Sequence, residues 1–163
     1  MSGHPHQMNL RLGRWSELGK AYSITKCSCE GISIAGDSSV PSIIINSLLW
    51  MDNNERLILG SFVVMPNHYH AVFVLKGGDL RDIMKSIGSF TAREINMKLG
   101  KSGQVWQEGY YDRAIRRDED IREIFDYIHN NPVRRGLVRY AEEWPHSSLN
   151  RGYFEKIRWH FFA

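Results

Sequence analysis

The chain has 163 residues, enough for one domain with a real hydrophobic core, and its 42% hydrophobic and 24% charged residues exclude a low-complexity or fibrous protein. A net charge of +3 supports nucleic-acid binding only if the positive charge is clustered. Two cysteines are too few for a disulfide framework and suit a reducing cytosol, the N-terminus shows no signal core, and the longest apolar runs, 43–51 and 57–65, are too short to cross a membrane.

In chain order, residues 1–20 read as an N-terminal arm that carries His4 and His6. Residues 21–29 alternate and are rich in strand formers, which predicts a first strand; 30–41, with Gly, Ser and Asp, predicts a loop. Residues 42–53 place Ile43, Ile44, Leu48 and Met51 at helical spacing behind Pro41. A second strand is predicted over 57–65 and a third over 68–76. The Pro66-Asn67 turn between them is short enough to force an antiparallel pair. Asp79 is placed to cap a long helix over 80–99, whose inner stripe is Leu80, Ile83, Met84, Ile87, Ile95 and Leu99. Residues 105–115 form an aromatic, mostly extended piece. A further helix runs to about Asn130 and is expected to end at Pro132. The tail from 137 is expected to wrap the surface. The order β-α-β-β-α-β fits an α+β ferredoxin-like sandwich, an antiparallel sheet with helices on one face. The expected divisions are the 1–20 arm, a 21–148 domain and a 149–163 tail.

Two places carry chemistry. In "MPNHYH", His68 and His70 stand two apart on a strand and so share a face. Two imidazoles on a rigid strand make half of a metal site; the plainer reading is a pair at a sheet rim, bonded to backbone or water. In "DEDIREIFDYIHNNP", Ile121, Ile124, Phe125 and Ile128 form the apolar stripe of an amphipathic helix. Tyr127 falls at the edge of that stripe, with Asn131 near it four residues on, although the proline after Asn131 weakens strict helical geometry. The plainer reading is a boundary tyrosine and a capping asparagine.

The segments "MPNHYH", "VWQEGYYDRAIRRDEDIREIFDYIHNNPVRRGLV" and "EWPHSS" together resemble the REP-associated tyrosine transposases, within the single-tyrosine HUH (His-hydrophobic-His) superfamily. The resemblance runs from about the first strand to Ser148. It implies that His68 and His70 are metal ligands, with Tyr69 in the slot where Val, Ile or Met is commoner. It implies that Asn131 is the third ligand, that Tyr127 is the nucleophile and that Mg²⁺ or Mn²⁺ is the cofactor. The implied activity is cleavage and rejoining of single-stranded DNA beside short hairpins through a 5′-phosphotyrosine link. The implied partner is single-stranded or hairpin DNA in the bacterial cytoplasm, at the nucleoid, with no membrane and with a homodimer left open.

Tyr110 and Tyr111 are the main rivals of Tyr127 as nucleophile. Arg113, Arg116, Arg117, Arg134, Arg135 and Arg139 bracket the Tyr127 helix. Interleaved with Trp106, Tyr110 and Tyr111 they suit a single-strand track, in which cations meet phosphates and rings stack on bases; the plainer reading is a solvated basic face. Two other functions are compatible with these residues. One is a non-catalytic ferredoxin-like nucleic-acid-binding module. The other is a zinc-stabilised protein using Cys27 and Cys29 with His68 and His70.

Overall fold

The computed structural model describes residues 15–37 and 39–163; His4 and His6 lie outside the described residues. Strands β1 (Ala21–Cys27), β2 (Leu57–Val64), β3 (His68–Leu75) and β4 (Tyr111–Ala114) form one antiparallel sheet in the order β2-β3-β1-β4. The α+β class and the ferredoxin-like order match the sequence reading.

Helices α1 (Ser39–Asn53) and α2 (Leu80–Leu99) cover one face of the sheet. Their Ile44, Leu48, Ile83, Ile87 and Ile95 pack against Ile24, Leu59, Phe62, Tyr69 and Phe73. The ends of α2 are set by local chemistry. The Asp79 side chain accepts from the Arg81 amide, and Gly100 closes the helix in the left-handed region at φ 61°.

A third helix, α3 (Ile121–His129), lies across the opposite face, so the sheet is covered on both sides. Its Phe125 and Ile128 pack on Val63, Met65, Val72 and Ile115. Alternation along a strand explains the split: Tyr69, Ala71 and Phe73 serve the first core, while His68, His70 and Val72 face the α3 side. Gly60 lets the layers approach, because a Cβ there would stand 2.8 Å from the rings of Phe125 and Phe162.

Three local expectations change. Pro132 does not end the helix. The helix ends three residues earlier, Asn130 keeps helical dihedrals (φ −82°, ψ 0°), and a single turn α4 (Asn131–Arg134) follows with the proline in its first turn. Proline fits there because the first helical amides need no intrahelical partner. Within 105–115 only β4 is a strand, preceded by an isolated bridge between Ser28 and Trp106. The tail is built into the fold more deeply than a surface wrap. Ser147 bridges Val63, the Ser148 amide donates to the Phe62 carbonyl, and His146 accepts from the Val64 amide. This short segment covers the outer edge of β2, a strand buried along its whole length. Ile157 enters the main core, and Arg158 donates to the buried Asp52 carboxylate at 2.7 Å. Among the described residues no helix is long and apolar enough to cross a membrane.

Candidate active site

The β3 register decides which groups meet. Thr25 of β1 stands opposite His70, and Cys27 opposite His68. On the other side of β1, Tyr111 of β4 stands opposite Thr25 and Arg113 opposite Ser23. Directly paired residues point to the same side of a sheet, so His68, His70, Thr25, Tyr111 and Arg113 share the face that α3 covers.

The two imidazoles are held with their free nitrogens together. His68 Nδ1 lies 2.7 Å from Asn67 Oδ1, and His70 Nδ1 lies 2.7 Å from Thr25 Oγ1. Their Nε2 atoms are 3.2 Å apart, with the ring planes at 77°. Asn67 Oδ1 only accepts, so His68 carries its proton on Nδ1 and turns the Nε2 lone pair towards its neighbour. Thr25 can fix His70 in the same tautomer, which is the outer-shell arrangement that orients histidine metal ligands. Two nitrogens that each bond one metal at about 2.1 Å, at close to a right angle, stand about 3 Å apart. The pair therefore fits a divalent cation. Burial pushes the His68 imidazole down to about 4, with the Arg135 charge adding to the effect. His70 is pushed down to about 4 by burial, then by His68, Arg134 and Arg135, against a backbone hydrogen bond at Ile24. Both rings are thus neutral near pH 7, the form that binds metal.

Tyr127 lies on α3 and is 61% exposed. With His70, Thr25, Arg113, Glu123 and Ile128 it lines one cleft of about 810 Å³, whose wall also carries Asp118, Glu119 and Asp120. Asn131 is buried and opens α4, one turn after Tyr127. The end of that turn, Arg134 and Arg135, acts electrostatically on the histidines. The Arg134 guanidinium carbon stands 4.0 Å from the Tyr127 ring centre, and its Nη1 donates to the Tyr127 carbonyl at 2.9 Å.

The expected single-strand track is partly dismantled. Trp106 is a core residue, edge-on to Tyr69 and donating from Nε1 to Thr91 Oγ1 at 2.9 Å, so its ring is closed to a base. Tyr110 is half-buried against the main core, on the side away from the histidines; it follows the alternation that turns Tyr111 towards them. Tyr111 stays open at 44% exposure. Arg113 and Arg116 both pair with Glu119, and Arg116 also with Asp118, so their charge is largely offset locally. Arg117 lies by a separate hollow with Lys20 and Ile121, and Arg139 rests over the Tyr140 ring at 5.3 Å. The six arginines therefore do not line one groove: Arg134 and Arg135 act electrostatically on the histidines, and Arg113 lines the cleft with His70 and Tyr127.

The zinc alternative finds no support. Cys27 and Cys29 are free thiols, burial raises the Cys27 pKa against the opposing Lys26 charge, and no group of three or more His, Cys, Asp or Glu among the described residues is placed to hold a metal.

Some of the local machinery was not foreseen. The Thr25 partner depends on strand register. Arg134 reaches Tyr127 only because the chain stays helical past Asn130. His129, buried on α3, meets Ser148 Oγ at 2.8 Å and is held neutral by burial, pushed down to about 4. The "HSS" segment had marked Ser148 without giving it a role.

Comparison with known proteins places this geometry. The family model described as "Transposase IS200 like" matches residues 44–131, more than half of the chain. That span contains the histidine pair, Tyr127 and Asn131. The chain is 32% identical over 106 residues to the REP-associated tyrosine transposase of Escherichia coli (strain K12), covering 65% of this chain and 62% of that protein. It therefore spans less than two thirds of that relative. A solved structure of a REP-associated tyrosine transposase bound to a REP hairpin superposes with a TM-score of 0.68 at 23% identity, over 91% of this chain and 82% of that one. That likeness speaks for the fold. With the matched span carrying both motifs in order, the chain belongs to the IS200-like transposase family.

Proposed function

We propose that this protein is a metal-dependent transposase and endonuclease that cleaves and rejoins single-stranded DNA beside hairpins through a 5′-phosphotyrosine intermediate. The observation that carries the reading is the shared cleft: Tyr127 and His70 line one hollow, one from α3 and one from the sheet that α3 covers. One chain thus supplies both a nucleophile and a metal-binding pair. The hairpin comes from the solved relative described as bound to one.

His68, His70 and Asn131 would hold Mg²⁺ or Mn²⁺, which when bound polarises a phosphate oxygen and stabilises the charge that develops on it. Tyr127 Oη attacks phosphorus and forms a new P–O bond as the bond to the 3′-oxygen breaks. The phenolic proton passes to solvent, and the 3′-oxygen leaves as a hydroxyl. One phosphodiester replaces another, so the bond energy is kept for rejoining. Arg135 neutralises phosphate charge, and Tyr111 offers a ring for a base. Arg113 adds charge on the cleft wall, and Arg116, Arg117 and Arg139 contribute charge farther out. Tyr127 and His70 of one chain share the cleft, and a homodimer is compatible with that arrangement.

The test is incubation of the full chain and Mn²⁺ with an end-labelled single-stranded oligonucleotide carrying the palindromes that flank the gene. A protein–DNA adduct stable to boiling in detergent is expected, and Tyr127→Phe should abolish it while changing DNA affinity by less than about twofold, since only the phenolic oxygen is lost. Binding without any adduct at several Mn²⁺ concentrations would instead identify a non-catalytic nucleic-acid-binding module.

A further inference from the structure

Tyr127 raises a positional problem. Its ring is 61% exposed, and an exposed phenol on a helix surface is free to change rotamer. A nucleophile that must meet phosphorus in line cannot afford that freedom, because a misplacement of about 1 Å can lower a rate about 100-fold.

The structure holds the ring with Arg134. Seven residues are close to two helical turns, so 127 and 134 share a face if the chain stays helical between them. It does, through Asn130 and into α4, where the Arg134 amide donates to the Asn130 carbonyl at 2.9 Å. The guanidinium is then fixed twice. Nη1 donates to the Tyr127 carbonyl, one of the last carbonyls of α3, at 2.9 Å, and the guanidinium carbon stands 4.0 Å from the ring centre. A planar cation anchored to the same residue's backbone restricts the ring it covers. It also brings a positive charge to the face of the group that becomes an anion during attack.

We propose that Arg134 is a positioning residue: it clamps the Tyr127 ring in its attacking orientation over the cleft, rather than serving mainly as one more phosphate contact. The inference rests on the proposed function, and it concerns how the reaction is aimed.

The test compares wild type, Arg134→Ala and Arg134→Lys on the same labelled oligonucleotide with Mn²⁺. Single-turnover adduct formation is measured at saturating DNA, and Kd is measured across a salt series. The expected result for Arg134→Ala is an adduct rate lower by about 10- to 100-fold with little change in Kd or in its salt slope. Arg134→Lys keeps a cation over the ring but loses the planar fork, and should recover part of the rate. A helix role alone would not produce rate loss at saturation together with rescue by lysine. An unchanged rate, a loss confined to Kd and salt slope, or a rate loss that lysine does not relieve would each overturn the proposal. If wild type forms no adduct, the reading of function fails instead. The clamp is still judged by nuclear magnetic resonance of the free protein, where the Arg134 side-chain protons should show the upfield shift of groups above an aromatic ring. Unshifted protons would refute the clamp whatever the activity.

Discussion

Ser148→Ala should be far more damaging than its size suggests. Ser148 is fully buried, and its Oγ is the meeting point of three groups. It accepts from the Phe62 amide at 3.0 Å, lies 3.2 Å from the Phe62 carbonyl, and lies 2.8 Å from His129 Nε2. The Phe62 carbonyl keeps the Ser148 amide whatever the side chain. Loss of the hydroxyl therefore strands two buried groups, the Phe62 N–H and the His129 nitrogen. Each orphaned buried group costs about 1–3 kcal/mol, so a loss of about 2–4 kcal/mol is expected after partial relaxation. Ser147→Ala is the matched control. Ser147 is equally buried, but its Oγ accepts only from the nearby Leu149 amide at 3.1 Å, so a loss of about 1 kcal/mol is expected. Urea unfolding followed by tryptophan fluorescence gives both numbers. With a slope of about 2 kcal/mol/M, the Ser148 midpoint should fall by about 1–2 M. Equal losses for the two serines, or a Ser148 loss below about 1 kcal/mol, would refute the idea that this hydroxyl fastens α3 to the edge of β2.

Other expectations follow from the same contacts. His70→Ala should end metal-dependent adduct formation while leaving the fold intact by circular dichroism; full activity at limiting Mn²⁺ would exclude it as a ligand. Thr25→Val removes the oxygen beside His70 Nδ1 and should raise the Mn²⁺ concentration for half-maximal activity by about 10- to 100-fold, the usual effect of losing such a partner. Arg135→Ala should make the dependence of log Kd on log salt shallower by about 0.7, the contribution of one phosphate on a single strand, and weaken unrelated sequences equally; an unchanged slope would return Arg135 to a solvated surface. Gly60→Ala drives a methyl to within 2.8 Å of two rings and should cost about 1–3 kcal/mol, lowering the melting temperature by several degrees; an unchanged melt would show that the rings move aside freely.

Most of the frame was legible in the sequence because its signals are local. The α2 helix has its stripe, its capping aspartate and its left-handed glycine within 22 residues, and both its ends were read correctly. The β2–β3 hairpin and the common face of His68 and His70 follow from a short turn and a period of two. The α3 stripe was equally plain, but periodicity cannot say which face of a sheet a helix will choose, and α3 took the one opposite α1 and α2. The aromatic segment failed for a related reason. Trp106, Tyr110 and Tyr111 look alike in sequence; the Ser28 bridge and the β4 register send the first into the core, the second towards it and the third to the surface. Arg113 and Arg116 read as free charge until the turn before α3 folded Glu119 back onto both.

The position of Tyr127 is a tertiary property. A helix of nine residues is too short to persist alone in water, so α3 exists where its apolar side is held. That side is gripped from two directions. Phe125 and Ile128 seat on the sheet, and from the tail the Trp159 and Phe162 rings close on Phe125 at 6.0 and 5.4 Å. His129 adds a polar tie to Ser148 on the same element. Tyr127 makes none of these contacts, yet with Phe125 and Ile128 buried it can only emerge at the rim where the cleft opens. The placement of the proposed nucleophile is thus set by residues outside the cleft, and a Phe162→Ala change in the tail is expected to slow adduct formation without touching any cleft residue.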